Sequence, residues 1–363
     1  MKNNWPIKKL GDVLEYEQPT NYLVSSTDYK DEYLTPVLTA GKSFILGNTN
    51  EKNGIFPKEK LPVIIFDDFT TAIKFVDFPF KVKSSAMKIL HAKKNDADIG
   101  FLFYKMLTIK FAHDQHKRYW ISECSNLKIS LPPIRIQKQI VDRLDKIAEA
   151  QKLNGDLVQK TDELFQSLLH RELNPVGKNW EVKKLSEVGE IITGTTPSTK
   201  NREYWSGEFL WATPTDIKEN TFMLTDTPKK LSREGYERTR PVPKNAILVT
   251  CIASIGKMAI AGKEMATNQQ INSIVCSKNS DPLFVFFSLQ KDKKKLISLG
   301  KTTAVPIINK SEFGRIKIFL PPLEIQKQIV AKLSTVQDYK KQLLEQKSKL
   351  KELFDSALAK SLT

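Results

Sequence analysis

Residues 131–144 read LPPIRIQKQIVDRL and residues 320–333 read LPPLEIQKQIVAKL, identical at ten of fourteen positions at an offset of 189. The same offset carries Glu163-Leu164-Phe165 onto Glu352-Leu353-Phe354 with no insertion between. Further out, residues 3–13 (NNWPIKKLGDV) match residues 178–188 (KNWEVKKLSEV) at six of eleven positions, now at an offset of 175. Self-similarity of this kind marks a duplication. The chain is two tandem copies, about 1–172 and 173–363, whose ends match and whose middles, roughly 14–125 and 189–313, do not. Unbroken register across 131–165 is what a rigid segment requires. The 14-residue difference between the offsets falls in the divergent middle, where loops absorb insertions.

The conserved-register segments read as long helices. From Ile134 onward Ile140, Leu144, Ile147, Val158, Phe165 and Leu168 follow steps of three and four, interrupted by polar Gln151, Asn154 and Thr161. In the second copy Ile329, Leu333, Val336, Leu343, Leu350, Phe354 and Ala357 follow the same steps, broken by Lys340 and Lys347. A pattern sustained over about 39 residues predicts a coiled-coil rod rather than an ordinary core helix. At ~1.5 Å per residue each rod would be about 58 Å long. Pro132 and Pro133 suit its first turn, where a missing N–H costs nothing. Gly155, whose counterpart is Leu344, is a weak point able to kink the first rod. A compact segment lying between the rods in sequence favours an antiparallel pair. The expected fold class is α+β: two mixed α/β domains separated by two long antiparallel helices, with an internal pseudo-twofold repeat.

Composition limits the function classes. The 363 residues are 40% hydrophobic and 27% charged, with a net charge of +16, which fits about two globular domains and a polyanionic partner. Fifteen Gly and eighteen Pro exclude collagen-like and low-complexity chains. No apolar run approaches the length of a membrane span, and the first residues lead into no apolar stretch of a signal peptide. Cys124, Cys251 and Cys276 have no CxxC spacing and read as reduced thiols of a cytoplasmic protein. Charge is unevenly spread: residues 134–172 are net zero and 323–363 net +3, whereas 1–133 carry +4 and 173–322 carry +9. Most of the positive charge therefore lies outside the rods, which assigns a polyanion to the globular parts and protein contacts to the rods.

Within the middles, residues 62–66 (PVIIF) and 246–252 (AILVTCI) read as buried strands, and residues 98–107 and 281–290 as apolar helices opened by an Asp cap. Polar clusters interrupt them. The first copy offers Thr39 and Lys42, Thr70 and Thr71, and Lys83 and Ser84. The second offers Thr195, Thr196 and Ser198, then Ser254 and Lys257, then Asn268, Gln269, Gln270 and Asn272, then Lys301 and Thr302. Hydroxyls and lysines of this kind position phosphates, and Asn or Gln amides bond adenine bidentately. Gln269, Gln270 and Asn272 are candidates either for base contacts or for bracing their loop. Trp205 and Trp211 are recognition aromatics or core anchors, and Asp67-Asp68 a turn or a carboxylate pair.

Catalytic signatures are missing. There is no GxxxxGK[ST] phosphate loop, no glycine-rich cofactor fingerprint and no Asn-Pro-Pro-aromatic or Asp-Pro-Pro-aromatic methylation motif. His91, His113, His116 and His170 stand at no metal-ligand spacing with carboxylates or cysteines, and Asp216-Ile217-Lys218 lacks the Pro-Asp partner of a nuclease site. Neither catalytic residues nor a metal or cofactor is expected. Two other classes stay open: a stand-alone DNA-modifying or cleaving enzyme with an unrecognised active site, and a coiled-coil scaffold without DNA contact.

The paired LPP-[IL]-x-IQKQIV-x-[RK]-L blocks and the W-x-[IV]-KKL-x-[DE]-V starts resemble the shared regions of type I restriction–modification specificity subunits. So do Gly194-Thr195-Thr196-Pro197-Ser198 with Tyr204-Trp205, and Ser254-Ile255-Gly256-Lys257 with residues 266–272 (ATNQQIN). The resemblance covers essentially the whole chain. It implies target-recognition domains at 1–133 and 173–322, and repeat helices at 134–172 and 323–363 acting as spacers. It further implies a bipartite, asymmetric double-stranded DNA site. Two methylation subunits would dock on helices and domains, methylating adenine, and restriction subunits would join through the complex. The first domain lacks the Thr-Pro-Ser stretch and has Gln18-Pro19-Thr20-Asn21-Tyr22 instead, so the two domains are expected to read different half-sites.

Overall fold

The computed structural model describes residues 5–39, 44–93, 97–109, 119–218, 221–300 and 305–362. The chain divides into two compact units, Met1–Asp156 with Glu345–Thr363, and Leu157–Leu344. Both division points fall inside long helices, so each unit owns part of each helix.

The first unit contains β1 (Ile7–Lys9), α1 (Leu10–Val13), β2 (Leu14–Glu17), β3 (Thr35–Leu38), β4 (Ile45–Thr49), β5 (Val63–Asp67), β6 (Ile73–Val76), β7 (Lys81–Val82) and β8 (Met87–Ala92). It continues through α2 (Ile99–Leu107), α3 (Tyr119–Ser122) and β9 (Lys128–Ser130) into the start of α4 (Ile134–Glu172). Its main sheet is antiparallel in the order β2-β8-β5-β6, and a second sheet runs β4-β3-β7, with β3 and β7 parallel. β5, the VIIF run, is buried along its whole length because it lies between two partners under a layer of side chains. β1 pairs with β9, which brings the two repeated segments of this copy together. The apolar α2 starts at Asp98, whose carboxylate accepts the Phe101 N–H at 3.0 Å. Phe101 and Leu102 join Leu10, Leu14, Ile140, Leu144 and Leu362 in one core.

The second unit contains β10 (Glu181–Lys184), α5 (Leu185–Val188), β11 (Gly189–Thr193), β12 (Phe209–Ala212), β13 (Met223–Leu224), β14 (Lys230–Leu231), α6 (Arg233–Glu237), β15 (Ile247–Thr250), β16 (Met258–Ala261), β17 (Ala266–Thr267) and β18 (Ile271–Cys276). α7 (Pro282–Lys291), α8 (Lys293–Leu299), α9 (Lys310–Gly314), β19 (Lys317–Leu320) and the start of α10 (Leu323–Leu362) complete it. The sheets run β11-β18-β15-β16-β13 and β14-β12-β17, and β10 pairs with β19. Apart from β13, each pairing has its counterpart in the first unit: β11-β18-β15-β16 repeats β2-β8-β5-β6, and β14-β12-β17 repeats β4-β3-β7 with the same parallel pair. The middles that share no sequence thus share a topology.

In the first unit the start of α4 runs antiparallel to the end of α10: Gln151 donates to Leu350 O and Asn154 to Gln346 Oε1, both at 3.1 Å. In the second unit Asp162 pairs with Lys340 and Glu172 with Lys332 in the same antiparallel sense. Of the polar interruptions of the apolar stripe, Gln151, Asn154 and Lys340 are therefore seam contacts, while buried Thr161 donates to Leu157 O of its own helix at 2.7 Å. α4 passes through Gly155 without a break. Among the described residues no helix is long and apolar enough to cross a membrane.

Candidate nucleic-acid interface

Strand pairing brings three loops of the second unit to one edge of its main sheet. Thr193 pairs with Asn272 and Thr250 with Ile271, so the carboxyl ends of β11 and β15 flank the start of β18. Residues 194–198, 251–257 and 268–270 follow or precede those ends. In the first unit Glu17 pairs with Ile89 and Asp67 with Met87, placing residues 18–22, 68–72 and 83–86 on the equivalent edge. The parallel pairs agree in detail: Lys83 N–H donates to Leu38 O at 2.8 Å, and Asn268 N–H to Ala212 O at 2.9 Å. Thr39 and Lys83 in one unit thus stand where Thr213 and Asn268 stand in the other. The β5–β6 turn with Thr70 and Thr71 corresponds to the β15–β16 loop with Ser254 and Lys257.

Local chemistry rigidifies these loops. Thr195 Oγ1 accepts from Arg240 Nε at 2.9 Å and Thr195 O from Trp211 Nε1 at 3.1 Å. Trp205 Nε1 donates to Ser198 O at 3.2 Å, and its ring stands edge-on to Trp211, centroids 4.8 Å apart. The tryptophans are anchors that hold the 195–198 loop: Trp211 is buried and Trp205 half-buried. Thr196 donates to Gln269 Oε1, which joins two of the loops. The Asn268 and Gln270 side chains bond one another at 3.0 Å. Thr250 Oγ1 donates to Ser254 O and accepts from Lys257 N at 3.0 Å, tightening the loop in which Ala253 and Gly256 have positive φ.

The sequence candidates separate by exposure. Thr70, Lys83, Ser198, Ser254 and Gln269 are exposed, and Thr39, Ser84, Thr195, Thr196, Lys257 and Gln270 half-buried. Three candidates are turned inward. Asn272 is 3% exposed, accepting from Thr193 Oγ1 at 2.7 Å and donating to Ile308 O, so it braces the loop instead of facing solvent. Asn268 and Thr71 are also buried, the latter at φ 58° with its hydroxyl on Thr70 O. Lys257 lines a groove of about 770 Å³ with Asp162, Gln290 and Lys340, on the helix side of this unit. Lys42, Lys301 and Thr302 lie outside the described residues, as do His113 and His116.

Sequence reading missed Arg240, Thr213 and Thr215. Arg240 is exposed yet bonded to Thr195 and Gly194, 45 and 46 residues away. Its only sequence signal is an arginine before Pro241, ordinary for a surface turn. Thr213 binds Asp216 and shares a 2.7 Å hydroxyl contact with Thr215.

The carboxylates serve the scaffold. Asp67 accepts from Phe69 N–H at 3.0 Å and Thr70 Oγ1 at 2.5 Å, closing a turn. Buried Asp68 accepts the Trp120 N–H at 2.8 Å and faces Lys88 at 3.7 Å. His91 does meet a carboxylate in space, Glu17 at 3.1 Å, with Tyr22 on the same carboxylate at 2.6 Å. Burial works to raise the Glu17 pKa, but the Tyr22 hydrogen bond and the Lys60 and His91 charges hold it below the usual value. Burial pushes the free thiols up, Cys124 and Cys276 to about 12 and Cys251 to about 11, so none is an activated nucleophile. Among the described residues no group of three or more His, Cys, Asp or Glu side chains could hold a metal ion.

The family model for the type I restriction modification DNA specificity domain matches residues 2–160 and again 177–352. The specificity subunit of the type I restriction enzyme EcoR124I/EcoR124II of Escherichia coli is 35% identical over 343 residues, 88% of this chain and 84% of that one. The MjaIX specificity subunit of Methanocaldococcus jannaschii is 30% identical over 189 residues, 51% of this chain and 43% of that one. The crystal structure of the type I restriction–modification S subunit from M. genitalium has the same fold, with a TM-score of 0.71 at 14% identity over 100% of this chain and 97% of that chain. Two matches of one specificity domain, on two units of one topology, account for the duplication: the chain belongs to the type I restriction–modification specificity family, as the non-catalytic DNA-recognition subunit of such a system.

Proposed function

We propose that this subunit reads a bipartite, asymmetric double-stranded DNA site, one half with the sheet edge of each unit. Residues 1–133 and 173–322 are the recognition domains, and 134–172 and 323–363 the spacer helices. The observation that carries this reading is the equivalence of the loops: one topology brings Thr39, Thr70, Lys83 and Ser84 to an edge in the first unit. It brings Thr195, Thr196, Ser198, Ser254, Gln269 and Gln270 to the matching edge in the second. One framework carrying different hydrogen-bonding groups is what reading two different half-sites requires. Arg240 and Lys83 supply charge for phosphates, and Asn268, Asn272 and Thr71 brace the loops.

The family acts with modification and restriction subunits. On this chain two methylation subunits dock along the helices, in the cytoplasm, and direct adenine methylation, with restriction subunits joining through them. Exposed leucines on the helix faces support this: Leu153 and Leu353 in the first unit, and Leu157, Leu164 and Leu344 in the second.

The test is methylation mapping in cells that express the chain with its modification partner. Gln269→Ala with Thr196→Ala changes base preference in one half-site only, and Thr70→Ala with Lys83→Ala in the other only. Changes in both halves from either pair, or in neither, would refute the assignment, as would methyl transfer or cleavage by the purified chain alone.

A further inference from the structure

The duplicated segment contains a polar side chain where helix packing calls for an apolar one. Gln137 and Gln326, related by the repeat offset of 189, are both 0% exposed. Neither amide is idle. Gln137 Oε1 accepts the backbone N–H of Asp98 at 2.8 Å, while its Nε2 donates to Pro132 O at 2.7 Å. Gln326 Oε1 accepts the backbone N–H of Asp281 at 2.8 Å, while its Nε2 donates to Pro321 O at 2.7 Å and Asn279 O at 3.1 Å. Asp98 and Asp281 are the N-caps of α2 and α7, the helices that carry the middle of each copy back toward its rod. Each amide therefore ties three backbone pieces together: the first turn of the long helix, the Pro-Pro turn before it, and the cap of the domain helix.

An apolar side chain of the same size would bury no amide, but it would leave the cap N–H and the proline carbonyl without this partner. What the amide adds is directional: if the domain helix slips or tilts on the long helix, the amide and the cap N–H both lose partners in a dry site, which is costly. Buried amides in coiled coils fix register in this way. The close packing agrees, since a Cβ on Gly100 in α2 would stand 3.1 Å from Val141 of α4.

We propose that Gln137 and Gln326 are positioning residues that lock each recognition domain at one angle on its long helix and so make the subunit selective for a single gap between half-sites. The proposal rests on the bipartite reading above. One added base pair moves a half-site by ~3.4 Å and turns it by about 34°. A locked domain cannot follow that movement; an unlocked one can.

The test uses the chain in complex with its modification partner and duplexes carrying its mapped site with the gap native, one base pair shorter or one longer. Gln137→Met and Gln326→Met keep side-chain volume and remove the amide. Each is expected to reduce the preference for the native gap by about tenfold, the weight of one or two buried hydrogen bonds, with base preference in both halves retained. Ile65→Val, in another core cluster of the first unit, is the control for general loosening and keeps the wild-type gap preference. Equal losses at all three gaps, or variants as selective as the wild type, would overturn the lock. A wild type with no bipartite site would instead overturn the reading on which it rests.

Discussion

Two glycines show how opposite the consequences of one substitution are. A Cβ on Gly194 would lie 2.2 Å from Asn268 O and 2.3 Å from Thr267 O, because Thr195 N–H already bonds Thr267 O at 2.8 Å. Backbone cannot give way as a flexible side chain can. Gly194→Ala is expected to cost roughly 1–3 kcal/mol, read as a lower denaturant midpoint, together with weaker reading of the half-site served by Thr195. Gly155, inside α4, has nothing within 4 Å of its would-be Cβ. Gly155→Ala is expected to stabilise by up to ~1 kcal/mol through helix propensity alone, and a lower midpoint would show that the glycine has a role the helix geometry does not reveal. Sequence could flag both glycines but not separate them. The difference lies in what stands beside each one, and residues 267 and 268 are far from 194 along the chain.

At the scale of elements, the long helices carry the most legible pattern, and several of their polar residues become understandable only in pairs across the two helices. Glu172 accepts hydrogen bonds from Lys332 at 3.1 Å and from Arg171 at 3.0 Å. The Lys332 bond, against the opposing effect of burial, and then Arg171 hold its carboxyl below the usual 4.5. A carboxyl depressed on folding gives its full stabilisation above the unfolded pKa and loses it as pH falls through the folded value. Lys332→Ala is therefore expected to cost roughly 0.2–1 kcal/mol at pH 7, and the difference from wild type is expected to vanish at pH values where Glu172 is protonated. Urea unfolding at neutral and acid pH checks it; an undiminished difference in acid would exclude the ion pair as the cause. The caps of α2 and α7 were legible too, since Asp before an apolar helical run is a local signal. Sheet order was not. Strands as short as Lys81–Val82 or Ala266–Thr267 hold no periodicity, and their pairing depends on partners distant in sequence.

For the whole molecule, each unit includes part of each long helix, and under the proposed bipartite reading helix length is what sets the gap between half-sites. Inserting seven residues into each helix lengthens each by ~10.5 Å, about three base pairs at ~3.4 Å each. The recognised gap is expected to grow accordingly in methylation maps, and an unchanged gap would refute the helices as spacers. The charge distribution agrees with this division of labour. Of the net +16, the segments outside the long helices hold +13, which is what the proposed contact of the recognition domains with a phosphate backbone calls for.

Sequence by itself determined the duplication, the length and stripe of the helices, the two Asp caps, the absence of catalytic signatures and the family. Each of these is local or repeated, written in residues that are neighbours in the chain or copies of one another. Only the tertiary structure decided that divergent middles fold alike, that Asn272 faces inward while Gln269 faces outward, that Arg240 reaches the Thr195 loop, and that a glutamine in each repeat holds a domain helix by its cap. Those outcomes depend on which distant backbone groups need a partner, and burial sets that need only after the chain has closed on itself.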